Sequence, residues 1–496
     1  RKAVAKLRQD LFDHIQGLSF TFFDARSAGK IMVRVINDVN SLNDLFSNGI
    51  INLLVDCLTL VLLVGIMLCI NWKLTLVSLC SLLILLVLIL VIKRRMRRCW
   101  QAVRSKTSNM NGYLHESLAG MRVTQAFVRE NVNQDTYDEV NQEIHDHWMK
   151  AVHYNSLFWP AIDSMSQLGT VLVYFVGLLL MGGPHGLPLA DLLLILWYLG
   201  RFWDPINNLA NFYNSVLSAM ASIERIYEIM DTPQDIRDTS EDVAELPPIT
   251  GEITFDHVTF GYDKETTVLR DVCFTAKPGQ TIALVGPTGA GKSTVVNLIS
   301  RFYDVTSGRV LIDGHDVRDV KLQSLRRQMS VMLQDSFIFS GTILDNIRYG
   351  RLDATDEEVM EAAKAVHAHE FIVQMAHGYQ TEVNERGSSL SAGQKQLISF
   401  ARALLNDPRI LILDEATSSI DTHTEQLIQK ALERLLKGRT CFVIAHRLST
   451  IRKADCIMVV QDGNIAERGT HEELLKNVHG HYHALCAAQY EFMKGA

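Results

Sequence analysis

The residues of this sequence that are best suited to chemistry form a glycine-rich loop that ends in a lysine and a serine. The loop occupies positions 286–293 and reads Gly-Pro-Thr-Gly-Ala-Gly-Lys-Ser. This spacing, a glycine, four residues and then Gly-Lys-Ser, is the pattern of a phosphate-binding loop. Glycines let the backbone approach a phosphate, Lys292 supplies a positive charge to the terminal phosphates, and Ser293 can ligate Mg²⁺.

The segments on either side of the loop favour the backbone that such a loop requires. Residues 281–285 predict a buried parallel strand, and residues 294–299 predict a helix. A strand that turns through glycines into a helix N-terminus directs several backbone N–H groups at one point, where an anion is stabilised. The candidate nucleotide-binding residues here are Gly286, Thr288, Gly289, Ala290, Gly291, Lys292, Ser293 and Thr294.

Two further segments carry residues that suit a nucleotide site. A second apolar strand, predicted at 410–413, ends in Asp414 and Glu415, and such carboxylates face the ligand crevice of a doubly wound sheet. Asp414 is suited to hold Mg²⁺, mainly through water, and Glu415 is placed to orient and deprotonate an attacking water. Ser391 is the predicted N-cap of a helix over 395–405, whose N-terminus is a second anion site. Taken alone, this last segment is only a capped helix.

Length and composition predict more than one domain and argue against several functions. The chain has 496 residues, with Leu, Val and Ile concentrated in its first part. The formal net charge of −7 argues against a nucleic-acid-binding surface, which needs a basic face. Eight cysteines occur without a CxxC pair, so we expect neither a disulfide framework nor a zinc site. The sequence begins at Arg1 without a Met, and we expect it to be a fragment that lacks an upstream part.

Long apolar runs predict four membrane spans in the first part, which we place at 50–70, 74–92, 157–181 and 187–210. Asn71-Trp72-Lys73 is predicted as a tight turn between the first two spans. A buried helix of a soluble protein is the alternative for each run, and charged residues interrupt the fourth.

The orientation of the spans follows from their basic residues. The run Lys-Arg-Arg-Met-Arg-Arg at 93–98 closes the second span, so the positive-inside rule places this end in the cytoplasm. Asp56 and Asp163 fall near membrane depth, and for each the alternatives are a role in the substrate path, a bond to a neighbouring helix or a position near the interface.

A polar segment with prolines divides the chain. We expect a transmembrane domain over 1–230, a linker over 231–249 and a nucleotide-binding domain over 250–496. Because the nucleotide-binding domain follows a cytoplasmic helix end, we expect it to lie in the cytoplasm, beneath the plasma membrane.

The motifs together resemble those of ATP-binding-cassette (ABC) exporter half-transporters of the bacterial multidrug type, over essentially the whole chain. In that resemblance, Ser391, Gly393 and Gln394 belong to the signature motif, although Ala392 stands where the family usually has glycine. The resemblance further identifies the residues of the Q-loop, the D-loop, the switch histidine and the adenine-stacking aromatic, which are Gln334, Asp421, His446 and Tyr262.

The resemblance implies an α-helical transmembrane domain of six spans, followed by an α/β P-loop domain. It implies two half-transporters, identical or different, whose nucleotide-binding domains dimerise head-to-tail with ATP and Mg²⁺ between them. Lys292, Gln334, Glu415 and His446 would then act in catalysis, with Mg²⁺ held by Ser293, Gln334 and Asp414. Phe22-Phe23-Asp24 and residues 119–127 resemble cytoplasmic loops that dock on these domains.

We therefore predict an ATP-hydrolysing exporter of a hydrophobic small molecule or lipid across a bilayer. The alternative is a regulatory or less active half of a heterodimer. Such chains commonly lack the glutamate or the histidine, whereas Glu415 and His446 are both present here. A soluble cassette ATPase of the DNA-repair type is excluded by the apolar spans, and we expect no nucleic-acid partner.

Overall fold

The structure is a computed structural model that describes residues 2–181, 188–238, 243–263, 265–333, 336–384, 387–415, 422–445 and 448–494. The chain forms two compact units. Unit 1 consists of Arg1–Leu7 and Ile36–Ile226, and unit 2 consists of Arg8–Val35 and Tyr227–Ala496. A short segment from the start of the chain therefore belongs to the same unit as the C-terminal half.

In the described residues of the N-terminal region, the regular secondary structure is helical and short turns connect the helices. Its α-helices are α1 (Lys2–Gln16), α2 (Phe20–Asp24), α3 (Ala28–Val33), α4 (Val39–Asp44), α5 (Ile50–Ala119), α6 (Met121–Ala126), α7 (Glu130–Met181), α8 (Leu189–Gly200) and α9 (Trp203–Met230), with π-helical turns at Arg34–Asp38 and Leu45–Gly49.

The helix α5 contains the first two predicted spans and is interrupted at the turn predicted between them. Asn71 leaves the helical conformation, with φ −159° and ψ 108°. Its Oδ1 accepts hydrogen bonds from the backbone N–H groups of Lys73 and Leu74, both at 3.1 Å. This is how an N-cap residue satisfies the first N–H groups of a helix, so a new helical segment begins after Asn71.

Within the described residues, one helical stretch is both long and apolar enough to cross a bilayer, namely Ile50–Cys80 with 31 residues. A shorter apolar helix covers Gln167–Met181, inside the third predicted span. The region predicted as the fourth span is divided between α8 and α9, and residues 182–187 lie outside the described part. Large apolar side chains on α5 and α7 are more than half exposed, as a lipid-facing surface requires; they include Leu54, Leu58, Val61, Phe175 and Leu178.

Helices α5, α7 and α8 share an apolar core in unit 1, and Asp56 of α5 is hydrogen-bonded to α9. The core residues include Leu63, Met67, Leu74, Val173, Leu192 and Ile195. Asp56 is buried and accepts a hydrogen bond of 3.2 Å from Asn208 of α9, whereas Asp163 is exposed. Of the alternatives considered for Asp56, the structure shows the bond to a neighbouring helix.

Unit 2 combines β-sheets with helices. Its strands are β1 (Ile253–Phe260), β2 (Leu269–Ala276), β3 (Thr281–Val285), β4 (Ser307–Ile312), β5 (His315–Asp316), β6 (Met329–Met332), β7 (Gly341–Thr342), β8 (Glu382–Val383), β9 (Ile410–Glu415), β10 (Thr440–Ala445), β11 (Cys456–Gln461) and β12 (Asn464–Gly469). Its later helices are α10 (Lys292–Ile299), α11 (Leu322–Arg327), α12 (Ile343–Arg348), α13 (Asp356–Ala365), α14 (His369–Val373), α15 (Ala392–Leu405), α16 (Thr422–Leu436), α17 (Leu448–Arg452), α18 (His471–Lys476) and α19 (His481–Lys494).

The described strands form a six-stranded sheet in the order β12-β11-β3-β10-β9-β6 and a four-stranded sheet in the order β2-β1-β4-β5. In the larger sheet the pairs from β11 to β6 are parallel, and β12 is antiparallel. Both of its faces are covered: Ala283 and Leu411 join one apolar core with α15, and Ile282 and Ile412 join the other with α10 and β1. Strands buried on both faces explain the continuous apolar runs in the sequence, and the predicted α/β fold is confirmed.

The last residues of the predicted linker are attached to the sheet domain. The backbone N–H of Leu246 donates to Oγ of Ser324, and that of Ile249 donates to Oε1 of Gln328, both at 2.9 Å. The side chains of Leu246 and Ile249 are buried in the same core as β1. Residues 246–249 of the predicted linker therefore pack as part of the sheet domain.

Candidate functional site

The glycine-rich loop connects β3 to α10 and adopts backbone conformations that require glycine. Gly286, Gly289 and Gly291 have φ values of 143°, 82° and 108°, which L side chains rarely adopt. A Cβ on Gly286 would lie 2.1 Å from the carbonyl oxygen of Val460 in β11, and one on Gly291 would lie 2.8 Å from Cδ2 of Leu269. The loop is thus shaped both by its own torsions and by close contact with β11 and β2.

Lys292 begins α10, and its ammonium group folds back over the loop. Nζ donates hydrogen bonds to the carbonyl oxygens of Gly286 at 2.9 Å and Pro287 at 2.8 Å. The residue is only 7% exposed, and this burial lowers the pKa of Lys292, against the opposing effect of Asp414. A buried cation is costly unless it is paired, so the loop holds a positive charge that an incoming phosphate would stabilise.

The loop forms one wall of a cavity of about 530 Å³. The predicted site residues that line it come from the loop, the start of α10, the aromatic position and the end of β9. The lining residues are Tyr262, Val268, Thr288, Gly289, Gly291, Lys292, Ser293, Thr294, Asp414 and Ile444. Two of the predicted loop residues do not line the cavity. The side chain of Ala290 is buried, and the carbonyl oxygen of Gly286 accepts a hydrogen bond from Lys292. The tertiary structure therefore brings most of the predicted phosphate-binding residues to one cavity.

Tyr262 provides an aromatic wall that is fixed by bonds to α10. Its hydroxyl lies 3.1 Å from Oγ1 of Thr294 and accepts a weaker bond of 3.4 Å from Nδ2 of Asn297. The ring packs edge-on against Tyr303, with centroids 5.0 Å apart, and the residue is 45% exposed. A ring held at its edge and tip leaves a face available for stacking on a planar base.

The acidic edge of the site is set by the register of two parallel strands. Asp414 pairs with Ile444, and Glu415 pairs with Ala445 along β9 and β10. Asp414 reaches the cavity together with Ser293. The strand position of Glu415 is described while its side chain is not, and Gln334, Asp421 and His446 lie outside the described residues. Their roles therefore stay predictions.

The predicted signature residues lie at the N-terminus of α15, outside the cavity. Ser391 caps this helix: its Oγ accepts from the backbone N–H of Gln394 at 3.2 Å, and Oε1 of Gln394 accepts from the N–H of Ser391 at 2.9 Å. This reciprocal arrangement is a capping box. Ser391 is exposed while Gly393 is buried, so the helix N-terminus faces solvent.

Sequence reasoning missed three residues of the site. Val268 and Ile444 complete the cavity wall, and Tyr303 supports Tyr262 from behind. Val268 lies just before β2 and Ile444 lies inside an apolar strand, so neither carries a local signal. Their positions follow only from the strand order.

A buried parallel sheet, a glycine loop leading into a helix and a carboxylate on a neighbouring strand define a P-loop nucleotide-binding domain. The family comparisons agree with this class. Residues 1–205 match the "ABC transporter transmembrane region" and residues 269–418 match the "ABC transporter" domain. The chain belongs to the ABC transporter family.

Similar proteins cover both parts of the chain. The "Uncharacterized ABC transporter ATP-binding protein YknV" of Bacillus subtilis (strain 168) is 50% identical over 488 residues, which are 98% of this chain and 80% of that protein. The "Fatty acid ABC transporter ATP-binding/permease protein" of Mycobacterium tuberculosis (strain CDC 1551 / Oshkosh) is 41% identical over 475 residues, 96% of this chain and 75% of that protein. A solved "bacterial Atm1-family ABC exporter with ATP bound" superposes with a TM-score of 0.78 at 30% identity, covering 98% of this chain and 85% of that one.

These comparisons establish the coarse activity. The chain combines a helical transmembrane domain with an ABC nucleotide-binding domain that binds ATP, and it is an ATPase coupled to transport across a membrane. The resemblance to ABC exporter half-transporters is confirmed.

Proposed function

We propose that the protein is an exporter that works as a dimer of half-transporters, with ATP bound between two nucleotide-binding domains. One observation carries this proposal: the phosphate loop lines the cavity, whereas the N-terminus of α15 lies outside it and faces solvent. A second subunit would bring its own Ser391 and Gly393 to this cavity. Two helix N-termini would then converge on one triphosphate, which stabilises its negative charge.

In this proposal the candidate site residues have distinct chemical roles. Tyr262 stacks on adenine, the loop N–H groups and Lys292 hold the phosphates, and Glu415 orients and deprotonates the attacking water. His446 bonds the γ-phosphate, and Asp421 contacts the nucleotide across the dimer. These assignments are supported by the sequence motifs, and for Tyr262 and Lys292 also by their places in the cavity.

Mg²⁺ fits the donors on the side of the cavity where β9 ends. Ser293 and Asp414 both line the cavity, and a hydroxyl with a carboxylate is a donor set that Mg²⁺ prefers, together with phosphate oxygens and water. Gln334 is the third proposed ligand. When bound, the ion would neutralise part of the charge on the phosphates.

The proposed substrate is a hydrophobic small molecule or a lipid, and multidrug efflux is the corresponding activity. The exposed apolar side chains of α5 and α7 support a membrane location, and the name of the mycobacterial relative supports a lipid-like substrate. The basic run at 93–98 supports a cytoplasmic position for the nucleotide-binding domain, and we propose the plasma membrane as the location.

The second candidate is a regulatory or less active half of a heterodimer. The intact phosphate loop favours the active exporter, because Lys292 and Asp414 both reach the cavity. The choice between two identical subunits and a heterodimer is decided by whether the purified chain has activity alone.

The proposal is tested with the purified protein in liposomes, by following ATP hydrolysis and the ATP-dependent movement of a fluorescent fatty acid or a hydrophobic dye. We expect hydrolysis and transport by the chain alone, and loss of both in Lys292→Ala, which removes the buried ammonium. The surface variant Lys430→Ala, on the exposed side of α16, is the matched control. Folded protein that binds ATP but neither hydrolyses it nor moves either probe would overturn the self-sufficient exporter and favour the heterodimer.

A further inference from the structure

A cluster of three metal-binding side chains lies on the exposed surface of the four-stranded sheet. It consists of His257 on β1 and of Asp271 and Cys273 on β2. One ring nitrogen, one carboxylate oxygen and the thiol sulfur all lie within 4.8 Å of one another. None of the three lines the nucleotide cavity. We propose that these residues form a binding site for a divalent transition-metal ion of the zinc type.

The position of the cluster follows from the register of β1 and β2. Val258 pairs with Val272, and both side chains are buried. Successive residues of a strand point to opposite faces, so the neighbours His257, Asp271 and Cys273 share the outward face. The absence of a CxxC pair predicted no zinc site, and His257, which is separated from Asp271 and Cys273 by part of a strand and a loop, was not among the predicted site residues. Only strand pairing brings them together.

The backbone at the cluster is held in an uncommon conformation. His257 and Asp271 have φ values of 49° and 50°, a region that costs energy for residues other than glycine. The N–H of His257 donates to Sγ of Cys273 at 3.2 Å, and the N–H of Asp271 donates to Oγ1 of Thr259 at 3.1 Å. The paired strands therefore fix the backbone positions from which the three side chains project.

The donor set selects the kind of metal. A thiolate, an imidazole and a carboxylate are the protein ligands of Zn²⁺, whereas Mg²⁺ and Ca²⁺ prefer oxygen alone. In a tetrahedral zinc site these ligand atoms would be about 3.3–3.6 Å apart, given bonds of about 2.0–2.3 Å. Nδ1 of His257 and Oδ1 of Asp271 are now 2.6 Å apart, so they must separate slightly. Both side chains are more than 70% exposed, at 72% and 73%, and can rotate to do so.

A simple ion pair between His257 and Asp271 is the competing explanation. It accounts for their contact, but it gives the thiol of Cys273 no role beyond accepting the backbone N–H of His257. A bound metal would use all three groups, complete its coordination with water, and join β1 to β2.

The thiol offers a specific test. The eight cysteines comprise Cys57, Cys69 and Cys80 on the apolar stretch of α5, the partly exposed Cys99, three buried cysteines and the exposed Cys273. The whole protein is labelled with a water-soluble maleimide, with and without micromolar Zn²⁺, and modification of Cys273 is followed by peptide mass spectrometry. We expect Zn²⁺ to slow this labelling by about tenfold, because a metal-bound thiolate is no longer free to react, and Mg²⁺ to have no effect.

Two variants separate a metal site from unspecific protection. His257→Ala and Asp271→Asn should each abolish the protection by Zn²⁺, while His315→Ala, an exposed histidine of the same sheet, should retain it. Co²⁺ should give a thiolate-to-metal absorption band that is lost in Cys273→Ser, which reports binding independently of labelling and of ATP hydrolysis. Unchanged labelling in Zn²⁺, or equal protection in all three histidine and aspartate variants, would overturn the proposal.

Discussion

The hydroxyl of Tyr303 donates a hydrogen bond to Oδ2 of Asp24, which joins the loop after α10 to the short helix α2 near the start of the chain. The ring of Tyr303 also packs edge-on against Tyr262, the aromatic wall of the nucleotide cavity. Next to it, Phe20 of α2 packs on Phe302 with centroids 4.5 Å apart. A single buried phenol thus contacts both the nucleotide wall and the N-terminal segment of unit 2.

Tyr303→Phe removes the bond to Asp24 but keeps the ring against Tyr262. Burial raises the pKa of Tyr303, with further effects of Asp24 in the same direction, so the hydroxyl stays protonated and donates at every physiological pH. We expect ATP affinity to change by less than about twofold, because the ring still supports Tyr262. Stimulation of ATP hydrolysis by transported substrate should fall several-fold, because the variant loses one buried hydrogen bond to the charged Asp24. Nucleotide binding and ATPase titrations check this.

Tyr262→Ala is the contrasting variant, because it removes the aromatic wall itself. It should weaken ATP binding by roughly tenfold, the value of about one stacked base. Equal effects of the two variants on ATP affinity would show that Tyr303 acts only by supporting the cavity.

Glu415→Gln tests the proposed general base. The amide keeps the shape of the side chain but cannot accept a proton, so we expect turnover to fall by roughly two to four orders of magnitude while ATP still binds. ATP hydrolysis and equilibrium nucleotide binding are measured on the same preparation. Glu433→Gln, on the exposed surface of α16, is the control, and a native rate in Glu415→Gln would remove this residue from the catalytic role.

Ser391→Asp separates the two functions assigned to the N-terminus of α15. Aspartate is as good an N-cap as serine, so the melting temperature should change little. The added negative charge would repel the triphosphate that a second subunit presents, and ATP hydrolysis should fall by at least about tenfold. Ser391→Thr keeps the cap without the charge and should retain activity. Full activity in Ser391→Asp would mean that Ser391 only caps its helix.

Asp313→Ala tests the hydrogen bonds that hold the entry to β1. The carboxylate accepts from the backbone N–H groups of Gly251 at 3.1 Å and Glu252 at 2.7 Å, as well as from Thr250. Burial acts to raise the pKa of Asp313, but these bonds outweigh it and the pKa is lowered. We expect the variant to lose about 1.5–3 kcal/mol of unfolding free energy at neutral pH, the value of hydrogen bonds to a charged group.

The pH dependence of this loss has a definite sign. A carboxyl whose folded pKa is depressed stabilises the fold above its unfolded pKa of about 3.9, and this stabilisation disappears as the pH falls through the folded pKa. Melting temperatures of the two proteins should therefore differ at neutral pH and converge in strong acid. A difference that is constant down to about pH 2 would mean that Asp313 acts through packing rather than charge.

The sequence by itself determined the local elements of the site. The spacing of Gly286, Lys292 and Ser293 predicted the loop, and the apolar patterns at 281–285 and 294–299 predicted a strand and a helix, which β3 and α10 confirm. Ser391 was predicted as an N-cap, and its capping box with Gln394 confirms this, although the helix begins at Ala392 rather than at 395. Asn71 ends one helical segment and caps the next, within the predicted turn. These features depend on torsions and hydrogen bonds among near neighbours, which residue type specifies directly.

The tertiary structure alone decided which of these elements meet. Asp414 reaches the cavity because β9 and β3 both pair with β10, and Ile444 of β10 joins it for the same reason. Val268 joins it from the other sheet, where its backbone N–H donates to the carbonyl of Phe260 at the end of β1. The contact of Tyr303 with Asp24 joins residues 279 positions apart, and His257 meets Cys273 only through the pairing of β1 with β2. Strand order and register arise from burying both faces of the sheet at once, and that is a property of the whole domain rather than of any local pattern.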